Sequence, residues 1–149
     1  MTRTNAREIV AHLIYELNFT KDAACDVVEA TMEPVYYESL AQETEIYADR
    51  PDSKQMAYIQ AVVQGIHEKQ EELDGYISRY ARNWSVSRIS KVARAIMHVA
   101  MYESLYVDDV PTDAAISEAV ELTRKYEDED VVSFVNGILG SFAREMEQN

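Results

Sequence analysis

The chain has 149 residues, of which 47% are hydrophobic, with four glycines and three prolines. This length suits one domain with a substantial core, and the scarcity of glycine and proline favours long helices over short strands. The sequence therefore predicts a single all-α domain over residues 1–149. The net charge of −13 argues at first sight against nucleic acid as a partner. No run approaches the ~18 apolar residues of a membrane span and no leader-like segment opens the chain, so we expect a cytoplasmic protein with no membrane partner.

The first predicted helix spans residues 5–18, with Thr4 as its N-cap. Its apolar residues recur at the spacing of one helical face and comprise Ile9, Val10, Leu13, Ile14 and Leu17. Two further helices are predicted from less regular patterns at residues 21–31 and 36–46, and Pro34 allows a break between them.

A polar stretch around Pro51 predicts a loop at residues 48–53, after which Ser53 would cap a long helix. The apolar face of that helix includes Met56, Ile59, Val63 and Ile66. The pattern predicts that the helix continues, with a kink, toward Tyr80.

A basic stripe is predicted on the next helix, which follows a connector at residues 83–87 and has Ser87 as its N-cap. Its apolar face comprises Ile89, Val92, Ala93, Ile96, Val99 and Ala100. A rotation of about 100° per residue places the stripe on the opposite face, where it comprises Arg88, Lys91, Arg94 and His98. We therefore expect the basic stripe to face solvent.

Two more helices are predicted toward the C-terminus. Thr112 follows a turn at Pro111 and would cap a helix that ends near Tyr126. The four acids at residues 127–130 would then stabilise the positive end of the last helix. The apolar stripe of that helix comprises Val131, Phe134, Val135, Ile138, Leu139 and Phe142.

Charge is segregated along the chain. No acidic residue occurs at positions 75–102, so all 27 acids lie elsewhere. The cations of this segment are Arg79, Arg82, Arg88, Lys91 and Arg94. Such segregation lets an acidic protein present one basic surface to an anion, and chance clustering on a solvated helix face is the alternative.

No local signature of catalysis occurs: the sequence has no P-loop, no Rossmann glycine fingerprint and no H-E-x-x-H motif. His12, His67 and His98 are far apart, and none has a Cys or His partner at metal-ligand spacing. The lone Cys25 lies among small apolar residues, which predicts a buried thiol. We therefore expect a protein that is not an enzyme and has no metal and no cofactor.

The chain resembles the NusB family in four stretches, which occur in the expected order. They are NAREIVAHLIYEL from Asn5, NWSVSRISKVARAIMHVAMYESLY from Asn83, ISEAVELTRKY from Ile116 and FVNGILG from Phe134. The resemblance does not rest on residues 18–55, where we find no comparable stretch. The resemblance implies a NusB-like, all-α fold of two packed three-helix bundles, present as a monomer or homodimer.

The resemblance also implies a function and partners. NusB proteins bind a short single-stranded boxA-type RNA in nascent ribosomal transcripts, usually together with NusE, a protein that also serves in the small ribosomal subunit. This assembly modifies the RNA polymerase complex so that it reads through terminators. The chain is therefore expected to be a non-catalytic transcription antitermination factor, with boxA-like RNA, a NusE-type ribosomal protein and the polymerase complex as partners.

The basic N-terminal arm of the family corresponds to Arg3 and Arg7 in this chain. Glu8 and Glu16 balance these two cations, so the side chains of residues 1–20 carry no net charge. Because this arm has no net positive charge, we expect a lower affinity for RNA and a weaker dependence of that affinity on salt.

Further candidates for RNA contact come from three positions. Phe134 matches a family position that presents a ring to RNA, and Asn136 could bond a base edge or a phosphate. Tyr80 combines a ring with two neighbouring cations, Arg79 and Arg82. Core packing is the alternative for both rings, and a bond to a neighbouring loop is the alternative for Asn136.

Two functions are therefore kept open. In the first, the chain is an antitermination factor that binds RNA through Arg88, Lys91 and Arg94 in addition to the residues above. In the second, it is a NusB-like protein-interaction or dimerisation module with weak or lost RNA binding, which the neutral arm and the charge of −13 favour. A third alternative, the accessory domain of an RNA methyltransferase, requires a catalytic domain for which we expect no room in 149 residues.

Overall fold

A computed structural model describes residues 1–82 and 85–148, and it contains eight α-helices and no strand within those ranges. The helices are α1 (Arg3–Leu17), α2 (Ala24–Met32), α3 (Pro34–Ala41), α4 (Ser53–Glu68), α5 (Gln70–Tyr80), α6 (Lys91–Tyr106), α7 (Thr112–Tyr126) and α8 (Glu129–Glu147). The all-α prediction is confirmed. Within the described part of the chain, no helix combines the length and apolar character needed to cross a bilayer.

The chain divides into two compact units, Met1–Glu68 and Lys69–Asn149. In the first unit α1, α2 and α4 contact one another as a three-helix bundle, and α3 packs against a short 3-10 turn at Glu45–Tyr47. The side chains that fill the core of this unit come from one face of each long helix. They include Ile9, Leu13, Val28, Ile59 and Val63.

The second unit is built around α6, which contacts α5, α7 and α8. Because three helices surround α6, almost all of its residues from Ala93 to Met101 are buried. The apolar stripe predicted on α8 faces this core, and its buried members are Val135, Ile138, Leu139 and Phe142. The positions of the functional candidates in this unit follow from the packing around α6.

Two helix starts differ from the sequence predictions because a neighbouring polar side chain takes the N-cap position. Thr2, not Thr4, caps α1, since its hydroxyl accepts the backbone N–H of Asn5 at 3.0 Å. Asp52, not Ser53, caps α4 through a reciprocal pair of bonds with Gln55, of 3.0 and 2.8 Å. The helix predicted to continue from Ser53 toward Tyr80 with a kink is instead two helices, α4 and α5, which are separated at Lys69.

Three other predictions were wrong. The third helix ends at Ala41 rather than at residue 46, and the following residues form the turn at Glu45–Tyr47 instead. Cys25 is exposed, because α2 turns its neighbours Ala24, Val27 and Val28 into the core. Thr112 does not cap α7: it is the first residue of that helix, and Pro111 in the cap position has no side chain that could bond an N–H.

Candidate nucleic-acid interface

Three of the predicted cations, Arg82, Arg88 and Lys91, lie exposed between the end of α5 and the first residue of α6. Ser90, rather than the predicted Ser87, caps α6 and accepts the N–H of Ala93 at 3.0 Å. Helix α6 therefore begins at Lys91, with Arg88 just before it in the 3-10 turn Val86–Arg88. Residues 83 and 84 of the predicted connector lie outside the described residues.

The structure brings Arg88 and Phe134 together at one surface cavity of about 300 Å³. Phe134 is half-buried at the edge of the apolar stripe of α8, so part of its ring remains accessible. The rest of the lining consists of Ile89, Ser90, Asp130 and Val131. A mostly apolar cavity with an aromatic ring and a guanidinium can receive a planar, electron-rich group such as an unpaired base.

Acidic residues border this cavity, which the sequence reasoning did not predict. Asp128 caps α8 by accepting the N–H of Val131 at 3.3 Å, as a carboxylate at the positive end of a helix should. Ser90 donates its hydroxyl hydrogen to Glu127 at 2.6 Å. With Asp130 in the lining, the acidic run weakens the positive field around Arg88.

The predicted basic stripe does not face solvent along its whole length, so the prediction was wrong for Arg94 and His98. His98 is only 1% exposed, because α5, α7 and α8 surround α6. Its Nε2 lies 2.8 Å from the Asp74 carboxylate, which also accepts two bonds from Arg94, of 2.8 and 2.6 Å. Arg94 is therefore engaged with α5, and only Arg88 and Lys91 of the stripe are exposed.

Arg79 and Tyr80 also form hydrogen bonds with an acidic residue. The carboxylate of Glu145, near the end of α8, accepts hydrogen bonds from the Arg79 guanidinium and from the Tyr80 hydroxyl. Both donors lower the pKa of Glu145 below its ordinary value, Arg79 more than Tyr80. The two RNA candidates at the end of α5 are therefore engaged within the protein.

Arg3 and Arg7 belong to the first unit, and neither extends from the chain as part of an arm. Arg3 is the first residue of α1, and its guanidinium lies 4.3 Å from the ring centroid of Tyr58. Arg7 is only 8% exposed. Asn136 is exposed on α8, but residues two positions apart on a helix point away from each other, so it does not share the cavity side of Phe134.

The sequence reasoning missed four acids at these sites: Asp74, Glu127, Asp130 and Glu145. Each except Asp130 bonds a residue at least 20 positions away along the chain. With 27 acids available, composition and spacing do not identify the acid that bonds a given distant side chain. In the described part of the chain, no group of three His, Cys, Asp or Glu side chains is arranged to hold a metal ion.

The profile of the NusB family matches residues 4–144. The chain belongs to the NusB family. The transcription antitermination protein NusB of Acetivibrio thermocellus is 40% identical to it over 144 residues, 97% of this chain and 90% of that protein. The NusB of Clostridium kluyveri is 33% identical, over 97% of each chain.

Solved NusB structures have the same fold. T. maritima NusB is 29% identical, with a TM-score of 0.80 and coverage of 97% of this chain and 92% of that one. A crystal structure of the antitermination factors NusB and NusE in complex with dsRNA has a TM-score of 0.74 at 19% identity, covering 96% of each chain. The NusB-like fold that the sequence implied is therefore confirmed.

Proposed function

We propose that this protein is a non-catalytic transcription antitermination factor that binds boxA-like single-stranded RNA together with a NusE-type ribosomal protein. The observation that carries the proposal is the surface cavity that Phe134 and Arg88 both line. A ring gives a stacking surface for a base, and a neighbouring guanidinium gives a contact for a phosphate. This combination is typical of sites for unpaired RNA.

The relatives support the choice of partners. Those at 33–40% identity are named transcription antitermination proteins, and one structural neighbour is a complex of NusB and NusE with dsRNA. By this proposal the complex modifies RNA polymerase on nascent ribosomal transcripts, which places the protein in the cytoplasm. Whether it forms a homodimer in the absence of RNA is a separate question, which its mass in solution answers.

A second candidate function is a protein-interaction or dimerisation module with little RNA binding. The acids beside the cavity and at the end of α8 favour it, because they reduce the positive field that RNA requires. The two functions differ in one measurable property, which is the affinity of the purified protein for RNA.

The test is binding of a short boxA-like RNA to variants at position 134, with and without the NusE-type partner. Phe134→Ala removes the stacking surface and should weaken binding by roughly 1–3 kcal/mol. Phe134→Leu fills the same space without a ring and should weaken it similarly. Phe134→Tyr keeps the ring and should bind like the unchanged protein.

The Leu variant is the control for folding, because it preserves apolar burial at a half-buried position. Its unfolding temperature should match that of the Tyr variant. Equal RNA affinity of the Leu and Tyr variants would exclude Phe134 as a stacking surface. No RNA binding by the unchanged protein, alone or with its partner, would favour the protein-interaction module.

A further inference from the structure

The contact between the ends of α5 and α8 combines one acid with two of the RNA candidates. Glu145 accepts hydrogen bonds from Arg79 and from Tyr80, which are adjacent in sequence. The Arg79 side chain is 55% exposed, whereas that of Glu145 is 23% exposed. A carboxylate oxygen thus occupies the donors that a phosphate oxygen from solvent would otherwise approach.

Glu145 lies in an unfavourable place for a carboxylate. It falls in the last turn of α8, where the helix dipole is negative and a cation is the stabilising choice. The hydrogen bonds from Arg79 and Tyr80 hold its pKa below the ordinary range, so the group is charged at neutral pH. Its charge is therefore compensated by Arg79 and not by its own helix.

Arg79 has a second support that does not depend on Glu145. Its guanidinium lies 5.1 Å from the ring centroid of Tyr76, one turn earlier on α5. The Tyr76 ring packs edge-on against the buried ring of Phe142, with centroids 5.1 Å apart and an interplanar angle of 90°. If Glu145 moves away, Arg79 can thus remain in place over an anchored ring.

We propose that Glu145 is an internal competitor for the RNA backbone, because it holds Arg79 and Tyr80 until an RNA phosphate displaces it. The inference rests on the proposed function, since it assigns a regulatory contact to the same RNA-binding protein. A surface ion pair contributes little stability, so an RNA held elsewhere on the protein can displace it at small cost. An anion with no other contact must compete with the covalently tethered carboxylate. The contact therefore favours RNA over isolated anions.

The test compares Glu145→Gln with Glu147→Gln. Both substitutions remove one negative charge from the last turn of α8, but Glu147 is exposed and lies outside the contact with Arg79 and Tyr80. Binding of a short boxA-like RNA is measured by fluorescence anisotropy at low salt. Glu145→Gln should tighten binding roughly three- to tenfold, and Glu147→Gln less than about twofold.

A second comparison isolates Arg79. In an Arg79→Gln background, the Glu145→Gln substitution should change RNA affinity by no more than about twofold, because the cation that it would release is absent. Undiminished tightening in that background would overturn the proposal, since the effect would then be a general charge effect.

The remaining outcomes separate this inference from the proposed function. If the unchanged protein binds RNA and the two glutamine variants bind equally, Glu145 is not a competitor, although the protein still binds RNA. If Glu145→Gln binds more weakly, Glu145 positions Arg79 and Tyr80, which also overturns the proposal. If Glu145→Gln binds RNA and the unchanged protein does not, the role of Glu145 as a competitor is supported. If neither the unchanged protein nor Glu145→Gln binds RNA, both the competitor role and the RNA-binding function fail.

Discussion

Asp74 links two basic side chains of α6 to α5. Burial alone would raise the pKa of its carboxyl, but the hydrogen bonds from Arg94 and His98 outweigh that effect and hold the pKa well below its ordinary value. Burial lowers the pKa of His98, and the Asp74 carboxylate offsets this only in part. The neutral His98 therefore donates from Nε2 to a charged Asp74 at neutral pH.

Replacing Asp74 with Asn should destabilise the protein by about 1–3 kcal/mol at pH 7, because Arg94 and the buried His98 lose a charged acceptor. Urea unfolding followed by circular dichroism measures this loss. Asp108→Asn makes the same chemical change in an exposed turn and should alter stability by less than about 0.5 kcal/mol. A similar loss in both variants would mean that the contact with α6 contributes nothing specific.

Asp74 and His98 also predict how the stability of the protein changes with pH. Both pKa values are lower in the folded than in the unfolded protein, so the unfolded state binds more protons during acidification. The contribution of His98 to the free energy of unfolding is fully present above the pKa of the unfolded state, about 6.5, and is lost as pH falls through the pKa of the folded state. That of Asp74 is present above about 3.9 and is lost at still lower pH.

At the scale of helices, the sequence predicted where most helices lie along the chain, but not which faces of α6 are buried. The apolar period located α1, α2, α6, α7 and α8 to within a few residues, and the continuous helix predicted from Ser53 toward Tyr80 covers α4 and α5. The predicted caps were each one to three residues from the observed ones. The remaining helix, α3, is shorter than predicted. The basic stripe was wrong at Arg94 and His98 because one-sided burial was assumed, whereas α6 is enclosed by three helices. Periodicity shows which face is apolar, but not which polar residues receive a partner from another helix.

The start of α6 depends on one hydroxyl. Ser90 accepts the N–H of Ala93 and donates to Glu127, so it both caps α6 and connects it to the segment before α8. Ser90→Ala should lose about 1–2 kcal/mol of stability by combining a lost cap with a lost bond to a carboxylate. Ser90→Thr keeps the hydroxyl and should lose much less. The unfolding midpoints of the two variants in urea give the comparison, and equal losses would contradict the capping role.

At the scale of the whole molecule, a charge of −13 is combined with four exposed cations in the segment 75–102: Arg79, Arg82, Arg88 and Lys91. The sequence identified the segment that carries these cations. It did not identify the acids that engage Arg79 and Arg94, since those bonds form only after folding brings distant residues together. Arg94 is only partly exposed and bonds Asp74, so fewer than the five cations of the segment are expected to contact phosphates.

This smaller number predicts the salt dependence of RNA binding. Each phosphate contact with single-stranded RNA contributes a slope of about −0.7 to the logarithm of affinity against the logarithm of salt concentration. Contacts with Arg82, Arg88 and Lys91, together with Arg79 once RNA displaces Glu145, give a slope of about −2.8, so affinity should fall roughly twentyfold between 50 and 150 mM salt. Replacing Arg88 and Lys91 with Gln should reduce the slope to about −1.4. The same changes at Lys21 and Lys54, exposed lysines of the first unit, should leave it unaltered. A slope near −2 in the unchanged protein would mean that Glu145 keeps Arg79 when RNA binds, and a slope near −3.5 would mean that RNA also recruits Arg94 from Asp74.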